Sequence, residues 1–124
     1  MEDIKIEATE KTPEVNFIKS EGLLEIKGRS IPENSIKFYD DLIAWVENYC
    51  GNPKDATRVN IQLEYFNTSS SKCLLDLFKK MEAITGDVTI NWYYEEDDDD
   101  MLEAGEDYDA IIKIQFRMIE VEEL

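Results

Sequence analysis

Apolar residues recur along this chain with two different periods, and each period predicts a type of element. In residues 58–66 and again in residues 88–94, apolar and polar side chains alternate, which predicts two strands that each bury one face. In residues 35–50 the apolar side chains are three and four apart, which predicts a helix that ends at Gly51 and Pro53. A second run with helical spacing starts near Ser70 and stops at Gly86.

Shorter apolar segments predict the remaining strands and a third helix. Residues 4–8, 15–18 and 22–27 favour strands, with a turn at Gly28, and a helix that contains Gly105 follows the acidic run 95–100. Residues 113–121 are expected to form a closing strand with apolar side chains on both faces, as in a strand that is covered on both sides or lies at the centre of the sheet. Strands that alternate with helices predict an α/β fold with a mixed or parallel sheet, in one domain spanning residues 1–124.

The chain is strongly acidic, which narrows the range of binding partners. Its 124 residues include 29 acidic and 13 basic side chains, for a formal net charge of −16. Such a surface repels phosphate backbones and anionic lipids, so we expect no nucleic-acid or membrane binding, whereas a basic protein partner is compatible. The segment MEDIKIEATEK has no apolar core and no later run approaches a membrane span, so we expect a cytoplasmic protein with reduced thiols at Cys50 and Cys73.

The chain contains no histidine, and this weighs against catalysis. Histidine is the commonest general base and a frequent metal ligand, and without it there is no Ser-His or Cys-His nucleophile pair. Neither a GxxxxGK[ST] nor a GxGxxG phosphate loop occurs in the sequence. We therefore expect a protein that is not an enzyme and that has no cofactor and no bound metal.

Four consecutive hydroxyl residues stand between a predicted strand and the second predicted helix. They are Thr68, Ser69, Ser70 and Ser71, and they follow Asn67, which is able to cap the helix alone. One interpretation is a solvated first turn. The other is a regulatory site, because a phosphate is favourable at a helix N-terminus and adds about −1.5 to −2 charges to a surface that a partner contacts.

The acidic run EEDDDD, residues 95–100, has three interpretations. The first is a solvated entrance to the third helix, where the helix dipole favours carboxylates. The second is a docking surface for a basic partner, either with a phosphate switch or in an adaptor that has none. Its residues would be Trp92, Tyr94, Asp97, Asp98, Asp99 and Asp100. The third is an acidic metal site in an enzyme, although the run lacks the spacing and the glycine of a calcium loop.

Four segments of the sequence resemble the SiaC family of bacterial regulatory phosphoproteins. They are GRSIPENSIKFYDDLIAWVENY, LEYFNTSSSKCLLDLFKKM, INWYYEEDDDDMLEAGEDY and the closing IQF. The similarity covers residues 22–116, and its most distinctive parts are NTSSSK and WYYEEDDDDMLEAGEDY.

The resemblance implies a STAS-like domain, similar to anti-sigma factor antagonists, that acts by partner switching. It implies that a Ser/Thr kinase of the histidine-kinase-like ATPase type phosphorylates Thr68 and that a PP2C-type phosphatase removes the phosphate. It also implies that the unphosphorylated form binds an output partner, a diguanylate cyclase in cyclic-di-GMP and biofilm signalling. Asn67, Ser69, Ser70 and Ser71 are then expected to surround the phosphate and to contact partners.

Overall fold

Six strands form one sheet, and their order across the sheet is their order along the chain. The computed structural model describes residues 2–124. The strands are β1 (Ile4–Ile6), β2 (Glu14–Ile18), β3 (Leu23–Ser30), β4 (Ala56–Phe66), β5 (Asp87–Glu95) and β6 (Gln115–Val121). The strands from β1 to β3 pair antiparallel and those from β3 to β6 pair parallel, which confirms the prediction of an α/β fold with a mixed sheet.

Three helices connect the parallel strands and cover one face of the sheet. They are α1 (Ser35–Tyr49), α2 (Thr68–Met81) and α3 (Asp99–Ile111). Because successive parallel strands are direct neighbours, right-handed connections place all three helices on the same side. Burial agrees, since Val59, Ile61 and Leu63 of β4 are buried whereas Arg58 and Glu64, on the opposite face, are exposed. The helices formed by residues 2–124 all lack the length and apolar character that a membrane crossing requires.

The core lies between the helices and the sheet and is rich in aromatic side chains. Trp92 of β5 and Phe78 of α2 are fully buried, and their rings meet edge to face with centroids 6.4 Å apart. Phe78 also meets the ring of Tyr108 of α3 at 5.2 Å, again edge to face, which is a favoured geometry for aromatic pairs. The thiols of Cys50 and Cys73 are free, and burial raises the pKa of both.

Two sequence predictions about the sheet are wrong. Gly28 does not form a turn but lies within β3, where its φ of 111° permits a bulge and the pairing with β4 shifts register before Arg29. The closing strand is neither central nor covered on both faces, because β6 lies at the edge of the sheet and the three helices all pack on one face. Its apolar residues on the face away from the helices, such as Ile119, are only half-buried.

Candidate functional site

The N-termini of α1 and α2 meet at the edge of the sheet where the parallel strands end. β3 ends at Ser30 shortly before α1 begins at Ser35, and β4 ends at Phe66 directly before α2 begins at Thr68. The backbone N–H of Asn67 donates to the carbonyl of Ser30 over 3.0 Å and joins the two strand ends. In open sheets with helical connections, this edge is where ligands and partners bind.

Asn67 is the N-cap of α2, as predicted. Its side-chain oxygen accepts a hydrogen bond from the backbone N–H of Ser70 at 2.8 Å and one from the hydroxyl of Ser69 at 3.2 Å. Because Asn67 is the cap, α2 begins at Thr68, two residues before the predicted start. Within α2, Thr68–Met81, the first turn holds no acidic residue, so no carboxylate there offsets the positive end of the helix dipole.

Buried hydroxyls form a chain of hydrogen bonds beneath this turn. Ser30 Oγ donates to Ser70 Oγ over 2.9 Å, and Ser70 Oγ donates to the carbonyl of Ser30 over 3.0 Å. Since the Ser30 hydroxyl has only one proton, Tyr39, whose hydroxyl lies 2.6 Å away, must donate to it. Burial raises the pKa of Tyr39 to about 12, so this hydroxyl keeps its proton at neutral pH.

A second branch of hydroxyls joins α1 to α2 nearer the surface. Ser69 Oγ donates to the side chain of Asn67, so the hydroxyl of Ser35, 2.8 Å from Ser69 Oγ, donates to Ser69. The side chain of Ser35 is buried and that of Ser69 is exposed. The two branches together fix the start of α2 against α1 and the end of β3.

Thr68 stands apart from both branches. It is the first residue of α2, its side chain is exposed, and its hydroxyl takes part in neither branch. Ser71 is half-buried, and its carbonyl accepts a hydrogen bond from the hydroxyl of Tyr108 at 2.8 Å. Ser70 is fully buried, which corrects the expectation that it contacts a phosphate or a partner at the surface.

A groove of about 220 Å³ lies between α2 and α3, and we call it the α2–α3 groove. Its apolar lining residues are Phe66, Leu75, Ala104, Tyr108 and Ile111. Its polar lining residues are Ser71, Lys72 and Asp107. Ser71, Lys72 and Leu75 follow Thr68 at spacings of three, four and seven residues, so all four share one face of α2. Thr68 therefore extends the wall of the groove by one turn.

The acidic run leads into α3, as the first of its three interpretations predicts. Asp98 is the N-cap, and its carboxylate accepts a hydrogen bond from the backbone N–H of Met101 at 3.0 Å. Asp99 and Asp100 occupy the first turn, and both are exposed, like Asp97. Within residues 2–124, no three His, Cys, Asp or Glu side chains are grouped so that they could hold a metal ion.

Trp92 does not belong to a docking surface, and the prediction that included it is wrong. Its side chain is fully buried, and its indole N–H donates to the carbonyl of Met101 over 2.9 Å. The alternation along β5 points Trp92 towards α3, so only the neighbouring side chains reach solvent. Tyr94 is half-buried and packs against the edge of the core.

Sequence reasoning missed the hydroxyls of Ser30, Ser35 and Tyr39 and also the α2–α3 groove. The local pattern places Ser35 only at the start of the first predicted helix and assigns to Ser30 no role beyond a polar turn. The available signal was their position at the end of, and shortly after, a strand that neighbours β4, because the ends of adjacent parallel strands meet. For the groove, the signal was Ile111, an apolar residue at the end of an otherwise polar helix segment.

Comparison with known proteins identifies the class of this α/β protein as regulatory. The model of the SiaC family, described as regulatory phosphoproteins, matches residues 6–121, so the chain belongs to that family. An uncharacterized protein of Pseudomonas aeruginosa strain UCBPP-PA14 is 31% identical over 111 residues, which are 87% of this chain and 88% of that protein.

Solved structures agree with the family assignment. SiaC of Pseudomonas aeruginosa superposes with a TM-score of 0.86 at 27% identity, over 98% of this chain and 100% of that chain. A chain in the crystal structure of the diguanylate cyclase SiaD in complex with its activator SiaC, also from Pseudomonas aeruginosa, gives a TM-score of 0.87 at 25% identity. That superposition covers 96% of this chain and 100% of the other. The family resemblance predicted from the sequence is thereby confirmed.

Proposed function

We propose that this chain is a non-catalytic, cytoplasmic regulator that is switched by phosphorylation of Thr68. Its unphosphorylated form binds and controls a diguanylate cyclase. A Ser/Thr kinase of the histidine-kinase-like ATPase type adds the phosphate, and a PP2C-type phosphatase removes it. Membership in a family of regulatory phosphoproteins supports this proposal, as does the relative SiaC, which is the activator of SiaD.

The exposed, unengaged hydroxyl of Thr68 is the observation that carries the choice of site. A kinase must reach the hydroxyl and must transfer phosphate without breaking the fold. Ser70 is buried and makes two hydrogen bonds with Ser30, and Ser69 Oγ is held between Ser35 and Asn67. Thr68 is the member of the run that is both exposed and outside these bonds.

The phosphate acts on the surface of the molecule and leaves the fold intact. Thr68 is the first residue of α2, so a phosphate there lies at the positive end of the helix dipole and does not oppose the helix. The buried branch of hydroxyls, Ser30 with Ser70, holds the start of α2 in place from the opposite side. The change that a partner detects is therefore an added charge of about −1.5 to −2 at one point of its contact surface.

The experiment that tests this proposal measures cyclic-di-GMP synthesis from GTP by a purified diguanylate cyclase of the same organism. We expect the unphosphorylated chain to stimulate the cyclase and the chain treated with its kinase and ATP to lose that effect. Thr68→Ala should keep stimulating the cyclase after kinase treatment. Ser71→Ala, one turn further along α2, is the matched control and should still be switched off.

Two results would contradict the proposal. If kinase treatment abolishes cyclase stimulation by Thr68→Ala as fully as by the wild-type chain, the phosphorylated residue is not Thr68. Cyclase binding that is indifferent to phosphorylation of Thr68 would favour the acidic adaptor, for which the exposed carboxylates of Asp97, Asp99 and Asp100 provide a surface.

A further inference from the structure

Two neighbouring hydroxyl residues at the start of α2 are exposed, and exposure alone does not choose between them. Thr68 and Ser69 are both exposed, whereas Ser70 is fully buried and Ser71 is half-buried. A kinase that reaches the hydroxyl of Thr68 therefore also approaches that of Ser69. Thr68 carries two heavy atoms on its Cβ and Ser69 carries one, so steric access favours Ser69. Restriction of the phosphate to Thr68 requires a further cause.

Hydrogen bonds distinguish the two exposed hydroxyls. Ser69 Oγ donates its single proton to the side-chain oxygen of Asn67 over 3.2 Å. It therefore accepts from Ser35 Oγ, which lies 2.8 Å away, so that its proton and one of its lone pairs are both engaged. Thr68 takes part in neither bond. The difference between the two residues thus lies in the bonds that their oxygens make.

Ser35 provides the better-formed of the two bonds to Ser69. Its distance of 2.8 Å is typical of a bond between two hydroxyls, whereas the 3.2 Å from Ser69 to Asn67 is long. Ser35 is the first residue of α1 and is only 4% exposed, so packing fixes its side chain. The hydroxyl of Ser70 lies farther from it, at 3.4 Å. The proton of Ser35 is therefore directed at Ser69.

Phosphoryl transfer requires both parts of a hydroxyl that Ser69 already has engaged. When a hydroxyl attacks ATP, its oxygen forms a bond to the γ-phosphorus, and the bond from that phosphorus to the β–γ bridging oxygen breaks, which releases ADP. The hydroxyl proton passes to a base of the kinase. A lone pair must point at phosphorus and the proton at the base. Ser69 must first break its bonds to Ser35 and Asn67, and Thr68 has neither bond to break.

We propose that Ser35 confines the phosphate to Thr68, because its hydroxyl occupies Ser69 and withholds that residue from the kinase. Ser35 is a positioning residue, since it acts through Ser69 and not on ATP. This role rests on the proposed function and specifies how the site of that switch is selected. A residue that precedes Ser69 by 34 positions in the chain thereby sets the specificity of the reaction. Selection of Thr68 also preserves the bond through which Ser69 joins α2 to α1.

The first test locates the phosphate after treatment of the full-length chain with ATP and the Ser/Thr kinase of the same organism that modifies it. Fragmentation mass spectrometry gives the share of phosphate on each residue. Ser35→Ala removes the donor to Ser69, so phosphate on Ser69 should rise by about fivefold or more relative to wild type. This factor corresponds to the loss of one typical hydrogen bond.

A second test removes the competition from Thr68. Thr68→Ala should accept little phosphate, whereas Thr68→Ala combined with Ser35→Ala should accept phosphate on Ser69 about fivefold faster or more. The matched control combines Thr68→Ala with Tyr39→Phe, which removes a hydroxyl from the buried branch but leaves the bond from Ser35 to Ser69. It should accept phosphate no faster than Thr68→Ala alone. The comparison separates the loss of one bond from a general loosening of α2.

The outcomes separate the role of Ser35 from the proposed function. If wild type is phosphorylated on Thr68 but neither Ser35→Ala chain gains phosphate on Ser69, the role of Ser35 is overturned and the proposed function stands. An equal gain in the Tyr39→Phe control would also overturn that role, because loosening of the junction would explain both results. A wild-type chain that takes its phosphate on Ser69, or takes none, would contradict the proposed function and the role of Ser35 together.

Discussion

Gly105 of α3 lies against the indole ring of Trp92 so closely that a Cβ atom on the glycine would be 2.5 Å from Cδ1 of the ring. The same atom would be 2.9 Å from the sulfur of Met118 on β6. Glycine at this position allows α3 to approach the sheet and lets Trp92 donate to the carbonyl of Met101. A glycine in mid-helix weakens a sequence-based helix assignment, and here packing explains its presence.

Gly105→Ala should destabilise the protein even though alanine is the better helix former. Helix propensity favours the substitution by about 1 kcal/mol, but overpacking against Trp92 costs about 1–3 kcal/mol, so we expect a net loss in the free energy of unfolding. Urea denaturation monitored by tryptophan fluorescence measures the change. Glu106→Ala, at an exposed neighbouring position, is the control and should stay within about 0.5 kcal/mol of wild type. A Gly105→Ala variant more stable than wild type would contradict the packing explanation.

Stability should fall in alkaline solution because of Tyr39. Burial raises its pKa to about 12 in the folded chain, above the ordinary value of 10.0. The folded state therefore holds the proton more tightly, so this contribution to stability is complete below pH 10 and is lost between pH 10 and 12. Within that window the free energy of unfolding should fall by about 1.4 kcal/mol per pH unit for this group.

Tyr39→Phe isolates the contribution of this one hydroxyl. At neutral pH the variant should be less stable by about 1 kcal/mol, because the bond to Ser30 is lost. Its stability should fall less steeply than that of wild type above pH 10, since one titrating group is gone. Tyr65→Phe, at a tyrosine that is 57% exposed, is the control and should match the stability of wild type at neutral pH. Parallel alkaline profiles for Tyr39→Phe and wild type would contradict the buried-hydroxyl assignment.

Ser70→Ala should destabilise the folded chain more than the loss of a single hydroxyl at a less buried position does. The substitution leaves the hydroxyl proton of Ser30 without its acceptor in a fully buried position, which costs about 1–3 kcal/mol. Ser71→Ala, at a half-buried hydroxyl in the next position, should change stability by less than about 0.5 kcal/mol. Guanidinium titrations of both variants measure the change in the free energy of unfolding. Equal changes would show that the hydrogen bonds of the buried branch contribute little to stability.

Asn67 should contribute to stability as a cap through its side-chain oxygen. Asn67→Ala should lower the free energy of unfolding by about 1 kcal/mol, because the N–H of Ser70 loses its acceptor. For a chain of this size the midpoint of thermal unfolding should fall by about 3–6 °C. Asn67→Asp keeps an acceptor and adds a negative charge at the positive end of α2, so it should restore the midpoint. A variant with aspartate that melts like the one with alanine would argue against capping.

The strands and helices in which a regular hydrophobic pattern extends over many residues were predictable from the sequence, and the irregular elements were not. β4 and α1 follow from alternation and from helical spacing, because those patterns are local. The local sequence predicts a turn at Gly28, because a single glycine in a short polar segment is typical of a turn. Its true role is a register shift between β3 and β4, which is a relation between two strands that no single segment contains.

The sequence located the candidate site, but it did not show which of its hydroxyl residues are buried and which are exposed. Which hydroxyl faces solvent depends on how far back the helical spacing of α2 extends, and the cap at Asn67 extends it to Thr68. Once the helix starts at Thr68, Ser70 falls on the inner face with Leu74 and Leu77, and Thr68 falls outside. The predicted start near Ser70 hid this division. Trp92 was misassigned for a related reason, since aromatic residues are common both in cores and at interfaces.

The sequential order of the six strands bears on how the chain is made. Each strand after β1 pairs with the strand that left the ribosome just before it, so the sheet can grow by one strand at a time during synthesis. No strand has to insert between two that are already paired. β6, the last to emerge, joins an existing edge, and α3 brings it there. Nascent chains therefore pass through few intermediates in which a strand is still unpaired because its partner is distant in sequence. Such intermediates are the ones prone to aggregate.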